Sequence, residues 1–139
     1  EDAAAALIAA LSSPNVRTAT SAAYALENFV GNADVVVALT KALDRPDLQI
    51  AAARGLAGHG VDATGAVDKL VGMLQSAERR AQSAAIFTLT RIGPPAKSAL
   101  PALAAMLATA NNKYERNSIA NAIWTIDPEY AQESKIRRQ

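Results

Sequence analysis

The feature that most limits how this chain can fold is a spacing. Leu11, Leu43, Leu74 and Leu107 recur at intervals of 32, 31 and 33 residues by subtraction, each closing a short apolar helical pattern. Each has a second leucine four positions earlier, Leu7, Leu39, Leu70 and Leu103. Residues four apart share a helical face. A second set of helical patterns alternates with the first. There Leu26, Leu56, Leu89 and Ile123 correspond; Ala22, Ala52, Ala85 and Ile119 stand four positions before them, and Phe29, His59, Ile92 and Ile126 three positions after. A hairpin of two such helices cannot bury its apolar face alone, so neighbouring hairpins must stack into a solenoid.

Composition agrees with an all-α chain. Half of the residues are apolar but only 4% are aromatic, and alanine, the best helix former, dominates the apolar set. Val35, Val36 and Val37 form the only β-branched cluster. A formal net charge of +1 is too balanced for a general polyanion binder or a membrane-surface protein. The absence of cysteine excludes disulfides, thiolate metal sites and a cysteine nucleophile. No apolar run approaches the ~20 residues of a membrane span. The chain starts at Glu1-Asp2 without a methionine or a visible signal peptide, and is expected to be a fragment of a larger protein.

Breaker residues place the helix ends. Ser12-Ser13-Pro14-Asn15 precedes a helix from Val16 to Val30, stopped at Gly31-Asn32. Asp44-Arg45-Pro46-Asp47 is the next break, with Asp47 as the expected N-cap of a helix from Leu48 to His59; Gly60 to Gly65 reads as the loosest linker. Ser76 is the expected cap of a helix from Ala77 to Ile92 that ends at Gly93-Pro94-Pro95. Pro101 fits a first helical turn, Asn112 with Glu115 resembles a capping box, and Asp127-Pro128 reads as an N-cap and N1 pair. The repeats then run approximately 1–32, 33–64, 65–97 and 98–129, with a partial unit at 130–139, in one domain.

Two stretches carry a family resemblance: RIGPPAKSALPALAAML from Arg91 to Leu107 and NAIWTIDPE from Asn121 to Glu129. Weaker echoes are AAYALENFVG from Ala22 to Gly31 and DRPDLQIAAARGLAGHG from Asp44 to Gly60. Tetratricopeptide and ankyrin signatures are absent. These stretches resemble the short bacterial kind of HEAT repeat, including the HEAT-like repeats related to phycobilin lyases. The Val-Arg pair that usually opens the second helix survives only as Val16-Arg17. The resemblance implies a right-handed α-α superhelix of about four HEAT-like hairpins plus a partial fifth helix. It also implies that the second helices line a concave surface.

The residues offer little chemistry. His59 is the only histidine and falls in a column otherwise filled by Phe29, Ile92 and Ile126, so it reads as a core or capping residue rather than a base or metal ligand. GLAGHG at 55–60 follows a helix instead of a strand, and no Lys-Ser/Thr follows it; close helix packing explains its glycines better than a phosphate does. No carboxylate pair or nucleophile motif points to an enzyme, and no cofactor or metal is expected. The column two residues before each second-helix leucine is Tyr24, Arg54, Phe87 and Asn121, with Glu27, Arg91 and Trp124 nearby. Tyr, Trp and Arg are typical of binding hot spots. The alternative is that the aromatics pack between repeats.

The expected function is therefore non-enzymatic protein–protein binding on the concave face, as a scaffold or adaptor module. Nucleic-acid binding is the less favoured alternative. It would use the basic third repeat, where Lys69, Arg79, Arg80, Arg91 and Lys97 face Asp68 and Glu78, net +3, whereas the first two repeats are net acidic. A lyase- or chaperone-like subunit for a chromophore is permitted by the resemblance but lacks a covalent handle. A soluble, cytoplasmic protein is expected, and exposed solenoid ends could self-associate.

Overall fold

A computed structural model describes residues 2–137. Nine α-helices occupy the described residues: α1 Asp2–Ala10, α2 Val16–Leu26, α3 Ala33–Ala42, α4 Gln49–Ala57, α5 Val67–Met73, α6 Arg79–Ile92, α7 Leu100–Thr109, α8 Lys113–Ile126 and α9 Pro128–Glu133. Strands are absent among these residues. α1 packs on α2, α3 on α4, α5 on α6 and α7 on α8, and the hairpins stack through α2, α4, α6 and α8, each against the next. The row of first helices is joined more loosely, largely through two 3₁₀ turns, Gly60–Ala66 and Pro94–Ala99. The result is an all-α helical-repeat solenoid.

The repeat columns form the core. Leu26, Leu56, Leu89 and Ile123 are fully buried, as are Leu39, Leu70 and Leu103 in the first-helix row. Ala22, Ala52, Ala85 and Ile119 lie in the same core. Phe29 and Leu107, in the two terminal hairpins, are only partly buried because each of those hairpins lacks one neighbour.

Small side chains set the helix spacing. At the position before each second-helix leucine stand Ala25, Gly55, Thr88 and Ala122. A Cβ on Gly55 would lie 2.6 Å from the Ala23 carbonyl oxygen, so α2 and α4 meet backbone to backbone. One repeat later the Thr88 hydroxyl lies 2.8 Å from the Ala53 carbonyl on α4 and 2.8 Å from Ala84 in its own helix, satisfying a buried donor where glycine is not needed.

Helix ends depart from the sequence expectation in four places. α2 stops at Leu26 instead of Val30, because the amides of Glu27, Asn28 and Phe29 each reach back three residues and tighten the last turn. Asp47 is not an N-cap: α4 begins after Leu48 without a side-chain cap. The Asp47 carboxylate instead accepts two hydrogen bonds from Arg45, at 3.1 and 2.9 Å. Ser76 accepts from the Glu78 amide, and Glu78 occupies the cap position of α6 without a side-chain bond. Gly60 to Gly65 is no loose linker but a 3₁₀ turn whose Ala63 and Ala66 are buried, matched by Ala96 and Ala99 one repeat on. Both turns start from a glycine in the left-handed region, Gly60 at φ 55° and Gly93 at φ 79°, where a side chain would strain the reversal.

Other caps match. The side chains of Asn112 and Asp127 accept from the amides of Glu115 at 2.8 Å and Tyr130 at 3.1 Å. In three of the four units the turn between the two helices presents carbonyls to a side-chain donor, and donors of different kinds fill the same need. Arg45 donates to Leu11 and Ser13, Gln82 to Leu74 and Ser76, and Arg116 to Ala110.

Candidate binding face

The second helices turn one common face outward. Tyr24 and Phe87 remain 43% and 42% exposed on it, although the core-facing residues two positions later are completely buried. Arg54 lies between them in helix order and is partly buried; its guanidinium carbon sits 4.7 Å from the centroid of the Phe87 ring. That cation–π contact crosses from α4 to α6 and holds two long side chains in one arrangement. Asn121 is exposed at the equivalent place on α8, and Arg91 is exposed one turn beyond Phe87. Tyr24, Arg54, Phe87 and Asn121 thus form a ridge along the four stacked second helices, α2, α4, α6 and α8.

The two remaining candidates are placed differently. Glu27 is partly buried at the end of α2, and its side chain and carbonyl close over Gly58 so tightly that a Cβ there would collide with both. Trp124 is half-buried against the core, and its indole N–H donates to the Ile136 carbonyl at 3.0 Å. It anchors the segment after α9 to α8.

His59 is 4% exposed, with Nε2 3.1 Å from the Leu26 carbonyl. The imidazole therefore carries its proton on Nε2 and donates to the end of α2, while Nδ1 is buried without a partner. This is a packing and capping role. The Leu26 oxygen also accepts from the Phe29 amide. His59→Ile removes one hydrogen bond of about 1 kcal/mol but also the buried, unsatisfied nitrogen, and adds apolar burial of similar size. The expected change in stability is below about 1 kcal/mol in urea denaturation; a loss beyond about 3 kcal/mol would assign the ring a role this packing does not contain.

The GLAGHG glycines serve the backbone: Gly55 and Gly58 admit α2, and Gly60 makes the reversal. Among the described residues no group of three His, Cys, Asp or Glu could hold a metal ion, and no helix is long and apolar enough to cross a membrane. Arg45 and Asp47 shift each other. Their side-chain hydrogen bond raises the Arg45 pKa and holds the Asp47 carboxyl below the usual carboxylate value. The pair belongs to the Asp44–Asp47 turn, not to the ridge.

Comparison with known proteins places this geometry. The sequence model of a family described as HEAT repeats matches residues 38–124. No curated protein matches the chain. Two crystal structures of engineered proteins from the Northeast Structural Genomics Consortium are similar in fold. One superposes with a TM-score of 0.73 at 22% identity, over 96% of this chain and 66% of that protein. The other gives a TM-score of 0.72 at 22% identity, over 96% of this chain and 67% of that protein. The chain thus spans about two thirds of the length of each. At that identity the likeness concerns the fold.

Proposed function

Since the chain belongs to the HEAT-repeat family, we propose that it is a non-enzymatic scaffold or adaptor that binds a protein partner on the face formed by α2, α4, α6 and α8. Repeats of this kind stack into an extended surface suited to long contacts. One observation carries the reading: two large aromatic side chains stay over 40% exposed on a single face, with an arginine fixed between them. Aromatic and arginine anchors are the residues that dominate interface energetics. Tyr24, Arg54 and Phe87 form the centre of the surface; Asn121 and Arg91 extend it, and Glu27 and Trp124 brace its two ends.

A pull-down from cell lysate compares the wild type with Tyr24→Ala/Arg54→Ala/Phe87→Ala, after circular dichroism has established equal helicity. The expected result is a protein captured by the wild type and weakened at least tenfold by the triple substitution, about 1.4 kcal/mol or more. Equal capture by both would remove the ridge from the interface. Salt-released nucleic acid on both would replace protein binding with the alternative.

A further inference from the structure

The chemistry of the same face narrows its occupant. The second helices carry seven cations, one on α2, one on α4, three on α6 and two on α8, against one anion within them, Glu115, and three at their caps, Glu27, Glu78 and Asp127. Six of the seven are arginines. In contrast, α3, α5, α7 and the two 3₁₀ turns balance Asp34, Asp62 and Asp68 against Lys41, Lys69 and Lys97. The three ion pairs among the described residues, Arg45–Asp47, Lys69–Asp44 and Lys97–Asp127, involve none of the second-helix cations. Charge is therefore segregated by helix row, although the whole chain is nearly neutral.

Periodicity aligns these cations with the ridge. Arg17 stands seven residues before Tyr24 and Arg80 seven before Phe87, on the same helical faces, and all four are exposed. Arg91 follows Phe87 by four residues. Beside them, between the starts of α6 and α8, lies a cleft of about 210 Å³ lined by Ile86, Met106, Tyr114, Glu115, Ser83 and Arg79. Ile86, Met106 and Tyr114 supply its apolar surface among polar neighbours that include Gln82, Asn112 and Ser118, and the Glu115 Oε1 is buried without a hydrogen-bond partner. Unneutralised arginines on one face attract negative charge, and their planar forks match carboxylates bidentately.

Resting on the protein-binding reading above, we propose that the occupant is an extended acidic polypeptide segment: carboxylates engage Arg17, Arg80 and Arg91, and one apolar or aromatic side chain enters the α6–α8 cleft. Adjacent helices sit about 8–10 Å apart, so four of them span about 25–30 Å. At about 3.3 Å per residue that accommodates roughly nine residues of extended chain. A single-stranded nucleic acid would need open rings for successive bases to stack on. Arg54 already covers a face of Phe87, and the other two exposed rings, Tyr24 on α2 and Tyr114 on α8, are separated by α4 and α6 and offer no succession of stacking platforms, which favours the peptide.

The test is selection from a random linear peptide library of about twelve residues, followed by binding of the selected peptides, fluorescently labelled, to the wild type and variants. Acidic sequences with one large apolar residue should emerge. Their affinity should fall about tenfold in Arg80→Gln/Arg91→Gln and decline with added salt, and should be unchanged in Lys41→Gln/Lys97→Gln on the opposite row. Selection of neutral or basic peptides that are lost in Tyr24→Ala/Phe87→Ala would overturn the acidic occupant and leave the binding face standing. Acidic peptides that bind both ridge variants undiminished would overturn occupant and face together. Displacement of the peptide by a lower concentration of single-stranded oligothymidylate would assign the arginines to nucleic acid instead.

Discussion

Leu89→Asp abolishes the cooperative thermal melt of this protein. Leu89 is completely buried in α6, which packs on α5 and is held between α4 and α8. Losing the leucine costs about 2–3 kcal/mol of apolar burial. The carboxylate that replaces it enters a core of Leu56, Ile92 and their neighbours with no cation to meet it. An unpaired buried charge costs several kcal/mol more, or must bind a proton to stay. Together the terms reach the roughly 5–15 kcal/mol that holds a domain of this size folded. Because each hairpin is stabilised by its neighbours, a break in the third also removes the support of the second and fourth. Circular dichroism on heating reads the outcome. A cooperative melt near the wild-type temperature would mean that the helical register assigned to Leu26, Leu56, Leu89 and Ile123 is wrong.

Gly55→Ala comes second, and here two effects oppose each other. Intrinsic helix propensity favours alanine by about 1 kcal/mol in a helix interior. Packing opposes it: the new methyl would sit 2.6 Å from the Ala23 carbonyl oxygen and 3.2 Å from both terminal carbons of Leu39. The first contact is with backbone and cannot be relieved by a rotamer change; α2 must move away from α4. Overpacking of this kind costs about 1–3 kcal/mol. The clash wins, and the expected melting temperature falls by several degrees, at roughly 2–8 °C per kcal/mol. A rise in melting temperature would show that α2 and α4 are not in backbone contact there.

These two predictions mark what the sequence made legible. The columns of Leu26 and Leu56, repeated at nearly constant spacing, specify a stacked hairpin array because no other arrangement buries every column at once. Gly55 and Gly58 read correctly as close-packing residues, and Asn112 and Asp127 as caps, since those roles depend on neighbours within four positions. What was missed depends on partners far along the chain. Asp47 had the right position for a cap, but Arg45 claims its carboxylate while bonding to Leu11 and Ser13 of the preceding turn. The stretch from Gly60 to Gly65 looked loose by composition, yet Ala63 and Ala66 fit beneath neighbouring helices, as do Ala96 and Ala99.

The candidate face was legible in part. Tyr24, Arg54, Phe87 and Asn121 stand in one column, and helical periodicity alone turns that column away from the leucines. Trp124 qualifies by residue type, but its indole proton goes to Ile136, a contact that no local pattern encodes. Counted by repeat, charge makes the first half acidic and the third unit basic. The structure divides it by helix row. Arg17 and Arg80 occupy equivalent positions seven residues before Tyr24 and Phe87, and aligning those positions would have found the basic stripe without coordinates.

The central claim, that partners meet the second-helix face, is tested most directly by site-specific photo-crosslinking in the presence of lysate. A benzophenone side chain replaces Ser83, exposed on α6 beside Phe87, or Val37, 67% exposed on α3 in the opposite row. The account predicts a crosslinked protein from position 83 and none from position 37. A crosslink from position 37 alone would put the partner on the first-helix row and contradict it.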